Sequence, residues 1–188
     1  MSFEMFVGIV FGGIISLVWG KIQQMRRRQI QKQYDLSDPA NQLRFVEQVG
    51  LYPRRPINKE AYYKAFVPIE KCLKKDWKGY RLLAEVGLGA FVGTDEQNAH
   101  KSACDRAFKS YNSKRVDFLV IDRKGNPAVA IEYHGSGHYL SEDAIARDIV
   151  KKCVLERAGI ELLEVYPFSD PHETEADFRS VIERYLER

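Results

Sequence analysis

Residues 115–138 read RVDFLVIDRKGNPAVAIEYHGSGH, and this stretch decides the fold. Val116 to Asp122 is a β-branched and apolar run, Arg123-Lys124-Gly125-Asn126-Pro127 is rich in turn formers, and Ala128 to Tyr133 is a second apolar run. Two such runs around a glycine-bearing turn predict an antiparallel hairpin. Side chains alternate across a strand, so Val116, Phe118 and Val120 are expected on one face, with Asp117, Leu119 and Ile121 on the other. A turn centred near Gly125 places Asp117 opposite position 132 or 133, and two acids, Asp117 and Glu132, meet at one end of the sheet. Alone they would repel. A hard cation such as Mg²⁺ relieves that repulsion, because it takes carboxylate oxygens and keeps waters. His134 follows Glu132 by two positions and is expected on its side, nearest the metal. His138 follows a Gly-Ser-Gly step that lets the backbone bend around the site, and is expected to close over a substrate.

Working outward, Asn58 is a plausible N-cap for a helix to about Lys74, with Pro68 inside it as a source of a kink. Tyr80 to Val86 reads as a strand. Thr94 to Gln97 has the pattern of a capping box and predicts a polar helix running to about Tyr111. After the hairpin, Ser141 caps a helix whose stripe Ile145, Ile149, Cys153 and Val154 is expected to face the core, and Gly159 ends it. Ile160 to Tyr166 is a last strand, and an amphipathic helix follows Pro171. A hairpin, a helical crossover and a further strand predict an α/β domain on a mixed sheet flanked by helices.

The remaining N-terminal part differs in kind. Residues 3–20 read FEMFVGIVFGGIISLVWG, with Glu4 as the only charge, and Lys21 and Arg26 to Arg28 follow. A helix of that length spans about 27 Å, enough for a bilayer core. The basic flank lies after the apolar run, which places the N-terminus outside and the domain on the cytoplasmic side of a bacterial inner membrane, as a single-pass protein. Gly8 and Gly12 form a small-xxx-small pair that could join two anchors into a homo-oligomer. A chain starting at Met25 would carry the domain without the anchor. The expected division is an anchor at 1–22, a basic and polar linker at 23–57, and the α/β domain at 58–188.

Bulk properties set limits. The 188 residues carry a net charge of +3, with 29% charged and 45% hydrophobic residues. That describes a globular chain and does not by itself point to nucleic acid. Cys72, Cys104 and Cys153 are odd in number and form no CxxC pair, which gives neither a disulfide framework nor a zinc site.

The pattern VDFLV…IEYHGSGH…ARDIVKKCVLERAGIELLEV, spanning about Asn58 to Tyr166, resembles the PD-(D/E)xK nuclease superfamily, and within it an uncharacterised bacterial family near the very-short-patch repair endonucleases. The resemblance implies a restriction-endonuclease-like core behind one transmembrane helix. It implies Glu60, Asp117, Glu132, His134, His138, Arg147 and Asp148 as site residues, with Asp117 and Glu132 binding Mg²⁺. The chain departs from the majority pattern: His134 stands at the usual lysine position, and Val116, not proline, precedes Asp117.

Two functions are expected from these readings. The first is Mg²⁺-dependent DNA cleavage, with His134 or His138 as base and Arg147 or Lys151 neutralising phosphate charge. Lys101, Arg106, Lys109, Lys114 and Arg115 would form a strip for the DNA backbone. The second is a non-catalytic interaction protein. Its size, single anchor and Met25 are similar in architecture to the entry-exclusion proteins of I-type conjugative plasmids, which implies a conjugative-transfer membrane protein as partner.

Overall fold

The computed structural model describes the backbone of residues 3–135 and 142–187; the side chains of 3–15, 142–145 and 147 lie outside the described set. The chain divides into two compact units, Met1–Pro53 and Arg54–Arg188.

In the first unit, helix α1 (Phe3–Gln33) runs without a break into the first residues expected to be linker, 23–33. A turn then folds α2 (Pro39–Glu47) back along its end. Asp38 caps α2 by accepting from the Ala40 amide, Asn41 Nδ2 donates to the Lys32 carbonyl at 2.7 Å, and Tyr34 stacks on Phe45. Leu43, Val46 and Val49, the apolar stripe of this segment, are exposed. Among the described residues no helix is long and apolar enough to cross a membrane. Most of the apolar run at 3–20, with Gly8 and Gly12, lies where side chains are outside the described set.

In the second unit, α3 (Lys59–Ala61) passes through a π-helical turn (Tyr62–Phe66) into α4 (Val67–Asp76). Asn58 caps it as expected, accepting from the Glu60 amide at 2.8 Å. The π turn accompanies Pro68: the Val67 amide reaches back to the Tyr62 carbonyl, and the proline, which has no N–H to give, follows directly in the first turn of α4. Strand β1 (Arg81–Gly87) follows. The expected capping box at Thr94 does not start a helix. Asp95 instead accepts from the Gln97 amide and from Asn98 Nδ2, a local turn that competes with helix, and α5 (Lys101–Tyr111) begins later.

Strands β2 (Arg115–Ile121) and β3 (Pro127–Tyr133) form the expected hairpin. Helix α6 (Glu142–Arg157), strand β4 (Glu161–Val165) and helix α7 (Pro171–Leu186) complete the domain. The sheet order is β1-β2-β3-β4, antiparallel except for the β3–β4 pair, which α6 connects in parallel. One face packs Phe118, Val120, Val129 and Ile131 against α4 and α7 through Ile69, Leu73, Phe178 and Ile182. The other face packs Leu119 and Ala130 with Tyr111 of α5 and Leu155 of α6. The mixed α/β sheet flanked by helices is therefore present.

Two departures from the simple pattern matter for the site. Glu85 adopts φ 55°, a left-handed conformation in the middle of β1. Leu82 and Ala84 pack on the α4–α7 face, whereas Val86 packs on the other. Its partner Val116 follows it, so Val116 does not share a face with Phe118 and Val120. The second departure is the phase of α6. Of the expected stripe, Ile149 is 62% exposed and Cys153 is exposed, whereas Val154 is partly buried beside the buried Leu155; the Ile145 side chain lies outside the described set.

The hairpin turn is held by Asp122, which accepts from the amides of Lys124 and Asn126, from Asn126 Nδ2 and from the Tyr185 hydroxyl. These donors, Asn126 first, hold its carboxyl down at about 2, against an ordinary value of 3.8. A lowered carboxylate stabilises the fold above its unfolded value and loses that contribution as pH falls through the folded one. Asp122→Asn is therefore expected to flatten the loss of stability between about pH 4 and pH 2, read from urea midpoints across that range.

Candidate functional site

The hairpin ladder runs from the turn to the pair Phe118–Ile131. One step further, at Asp117, a side chain takes over from the backbone. Asp117 Oδ2 accepts from the Tyr133 amide at 2.7 Å. A carboxylate thus stands in for a carbonyl at the end of the ladder, where the side chain of Glu132 meets α6. Lys151 on α6 is its partner: the Lys151 Nζ donates to Glu132 Oε1 at 2.8 Å and lies 3.2 Å from Asp148 Oδ1, one helical turn earlier. The outward turn of Ile149 and Cys153 now has a cause. Asp148, Lys151 and Leu155 share the inward face at helical spacing, and the ion pair takes the place beside Leu155 that an apolar residue would otherwise hold.

The electrostatics are those of a desolvated cluster. Glu132 is 7% exposed. Burial pushes its carboxyl up to about 7, Lys151 works against that rise, and the charges of Asp117 and Asp148 add to it. Burial also disfavours the Lys151 charge, but Glu132 and Asp148 outweigh it and leave its pKa raised. On the other side of Asp117 a cavity of about 90 Å³ is lined by Ile57, Asn58, Glu85, Asp117, Tyr133 and Gly135. That is room for several waters. The Tyr133 hydroxyl donates to Glu60 Oε2 at 2.9 Å, which ties α3 to the site. Burial and the Glu60 bond together raise the Tyr133 hydroxyl to about 12.

His134 does not stand free beside Glu132 as expected. Its amide donates to the Val165 carbonyl, its Nε2 lies 2.7 Å from Glu164 Oε1, and its ring stacks on Tyr166. Glu164 pairs with Glu132 across the β3–β4 ladder and also holds Lys152 at 2.8 Å. Burial would raise the Glu164 carboxyl, but Lys152 and His134 prevail and lower it. Adjacent lysines of α6 thus serve adjacent strands: Lys151 goes to Glu132 of β3, and Lys152 to Glu164 of β4.

The fold therefore gathers Asp117, Glu132, Asp148 and Lys151, joins Glu60 through Tyr133, and gives His134 a carboxylate partner of its own. His138 and the Arg147 side chain lie outside the described residues. The basic strip is engaged with its own neighbours. Lys101 pairs with Glu96 and Asp105, Lys114 donates to the Ser110 carbonyl, and Arg115 reaches Glu85 at 3.2 Å; Arg106 and Lys109 are exposed on α5. Sequence reading did not single out Glu85, Tyr133, Lys152, Glu164 or Tyr166. Glu164 carried a signal, an acid inside an apolar strand two positions from Tyr166; the left-handed Glu85 carried none.

Among the described residues no group of three or more His, Cys, Asp or Glu side chains is placed to hold a metal ion. Asp117 and Glu132 are the two residues that could hold a hard cation. Mg²⁺ is commonly held by one or two carboxylates, with waters and substrate phosphates as the other ligands. A carboxyl raised by burial, with the charges of Asp117 and Asp148 adding to the rise, is one that a cation would relieve.

Comparison with known proteins places the second unit. A family model described as "Protein of unknown function (DUF2726)" matches residues 54–183. An uncharacterized protein of Haemophilus influenzae is 32% identical over 162 residues, covering 82% of this chain and 80% of its own. The uncharacterized protein y4bI of Sinorhizobium fredii is 31% identical over 109 residues, covering 58% of this chain and 70% of its own. No solved structure matches.

Proposed function

This chain belongs to the DUF2726 family of proteins of unknown function, and we propose from its site that it is a membrane-tethered, Mg²⁺-dependent phosphodiesterase of restriction-endonuclease-like build that cleaves DNA. One observation carries the reading: the buried Glu132–Lys151 pair beside Asp117, at the end of the hairpin ladder. A buried ion pair is a poor stabiliser, because desolvation of both charges offsets their attraction. A helix that turns a lysine and an aspartate inward, and an isoleucine outward, is better explained by chemistry at the sheet end than by packing.

The residues divide the work. Asp117 and Glu132 would hold the cation, which supplies charge neutralisation at the phosphate and activation of water. Lys151 places a positive charge next to Glu132, the role a lysine at position 134 has in the majority pattern, and Asp148 orients it. Glu60 and Tyr133 brace the strand that carries Glu132. His134, aligned by Glu164 and Tyr166, is the general base nearest to Glu132 along the chain. The apolar run at 3–20 and its basic flank support an inner-membrane tether with the domain on the cytoplasmic side.

The test is Mg²⁺-dependent cleavage of DNA by the full-length protein in detergent, with calorimetric Mg²⁺ or Mn²⁺ binding alongside. Wild type is expected to cleave and to bind metal, and Asp117→Asn to lose both. Neither cleavage nor metal binding in the wild type would overturn the reading and leave contact with a transfer-apparatus protein in its place.

A further inference from the structure

His134, Tyr166 and Phe168 form a continuous aromatic column. The ring centroids of His134 and Tyr166 are 5.0 Å apart at 20°, and those of Tyr166 and Phe168 are 5.3 Å apart at 11°. These are offset stacks of nearly parallel rings. The inner end, His134, directly follows β3, two residues past Glu132. The outer end, Phe168, is 83% exposed.

That exposure is not slack. Phe168 sits in a turn closed by the Ser169 amide donating to the Tyr166 carbonyl at 3.0 Å, with Pro167 presetting the backbone. Ser169 Oγ accepts from the Tyr166 amide, and Lys64 Nζ donates to the Ser169 carbonyl at 2.9 Å. Asp170 then caps α7 in a capping box with Glu173. A phenylalanine ring is thus held in solvent on an anchored turn, parallel to a stack that leads back to the site.

We propose that this column is a stacking platform for an unpaired nucleobase, which makes the substrate of the phosphodiesterase single-stranded or locally unpaired nucleic acid. The proposal rests on the phosphodiesterase reading for its site and adds the substrate class. A flat aromatic ligand continues a column of parallel rings. A bilayer or an apolar protein face would instead match a broad apolar patch, whereas this ring is followed by Ser169 and Asp170. Bases inside a duplex have both faces covered by their neighbours, so only an unpaired base can take the outer face of Phe168. Lys152, half-exposed beside Glu164, supplies a cation next to the column for the strand's phosphates.

The experiment is fluorescence anisotropy with the full-length protein in detergent, EDTA present to prevent cleavage. The probes are a short oligothymidylate, the same strand with abasic sites, a duplex and anionic vesicles. Phe168→Ala is expected to bind the single strand roughly 5- to 150-fold more weakly, the equivalent of about 1–3 kcal/mol for one lost base–aromatic stack, and to bind the abasic strand as wild type does. Phe168→Trp is expected to restore affinity, with its indole fluorescence quenched by the strand. Unchanged affinity of Phe168→Ala, an equal loss on all the nucleic-acid probes, or a loss confined to vesicles would overturn the platform. Cleavage by wild type with unchanged binding by Phe168→Ala removes the platform and leaves the phosphodiesterase. Base-dependent loss without cleavage by any form keeps the platform and removes the phosphodiesterase.

Discussion

Replacing Lys151 by methionine is expected to cost about 3–5 kcal/mol of folding stability at neutral to basic pH, the usual penalty for removing one partner of a buried ion pair. Methionine keeps the length and the apolar stem of the side chain, so little packing is lost. What remains is Glu132, 7% exposed, facing Asp148 and Asp117 with its close cation gone. The pH dependence separates this cause from a packing defect. Burial already raises the Glu132 carboxyl from 4.5 to about 7, and loss of the lysine that opposes this rise must raise it further. A carboxyl raised in the folded state destabilises progressively as pH rises from its unfolded value to its folded one. The deficit of Lys151→Met is therefore expected to be small near pH 4.5 and to grow towards pH 8. Urea midpoints at the two ends of that range read it. Adding Glu132→Gln should recover most of the loss, because the uncompensated charge is then gone. A deficit that is flat with pH would mean that Lys151 acts by packing and not by charge.

Glu132→Gln alone is expected to show the opposite signature, with cleavage falling roughly 10³-fold, about 4 kcal/mol of barrier, and the fold retained. Glutamine is isosteric and can still accept from Lys151, but it cannot share a cation with Asp117. Wild type should lose stability relative to this variant as pH rises from 4.5 to about 7, and the difference should stay constant above that. Buried charge tolerated at a cost to stability and needed for turnover is the expected mark of an active site. Cleavage that survives Glu132→Gln would remove Glu132 from the site, whatever the melting curves show.

The sheet was legible in the chain because its causes are local. The apolar runs around Arg123–Pro127 need only a turn to become a hairpin, and Gly125, at φ 89°, takes the conformation that the turn requires. The turn does not set the register alone: Ile121 pairs with Pro127 but Val120 with Val129, and this one-residue shift beside the turn carries Asp117 one step further along β3. Asn58 capped its helix for a local reason too, its side chain reaching an amide two residues away. Local reasoning failed where two short-range options competed. Thr94–Gln97 has the residues of a capping box, but Asp95 found donors in Gln97 and Asn98 first.

By itself, then, the sequence determined the order of the sheet's strands and the presence of the hairpin, both set by contacts a few residues apart. Only the tertiary structure decided what Asp117 and Glu132 face. Hydropathy assigned Ile149 and Cys153 to the core side of α6. The buried carboxylate of Glu132 reversed that, because leaving it unpaired costs more than exposing an isoleucine, and Lys151, nineteen positions away, is its cation. The same holds for Phe168, whose ring lines up with His134 only once β3 and β4 lie side by side. Period and propensity act over a few residues. The phase of a helix with charge on its inward face, and the direction of a ring on a turn, are set by desolvation and stacking between segments that the chain brings together last.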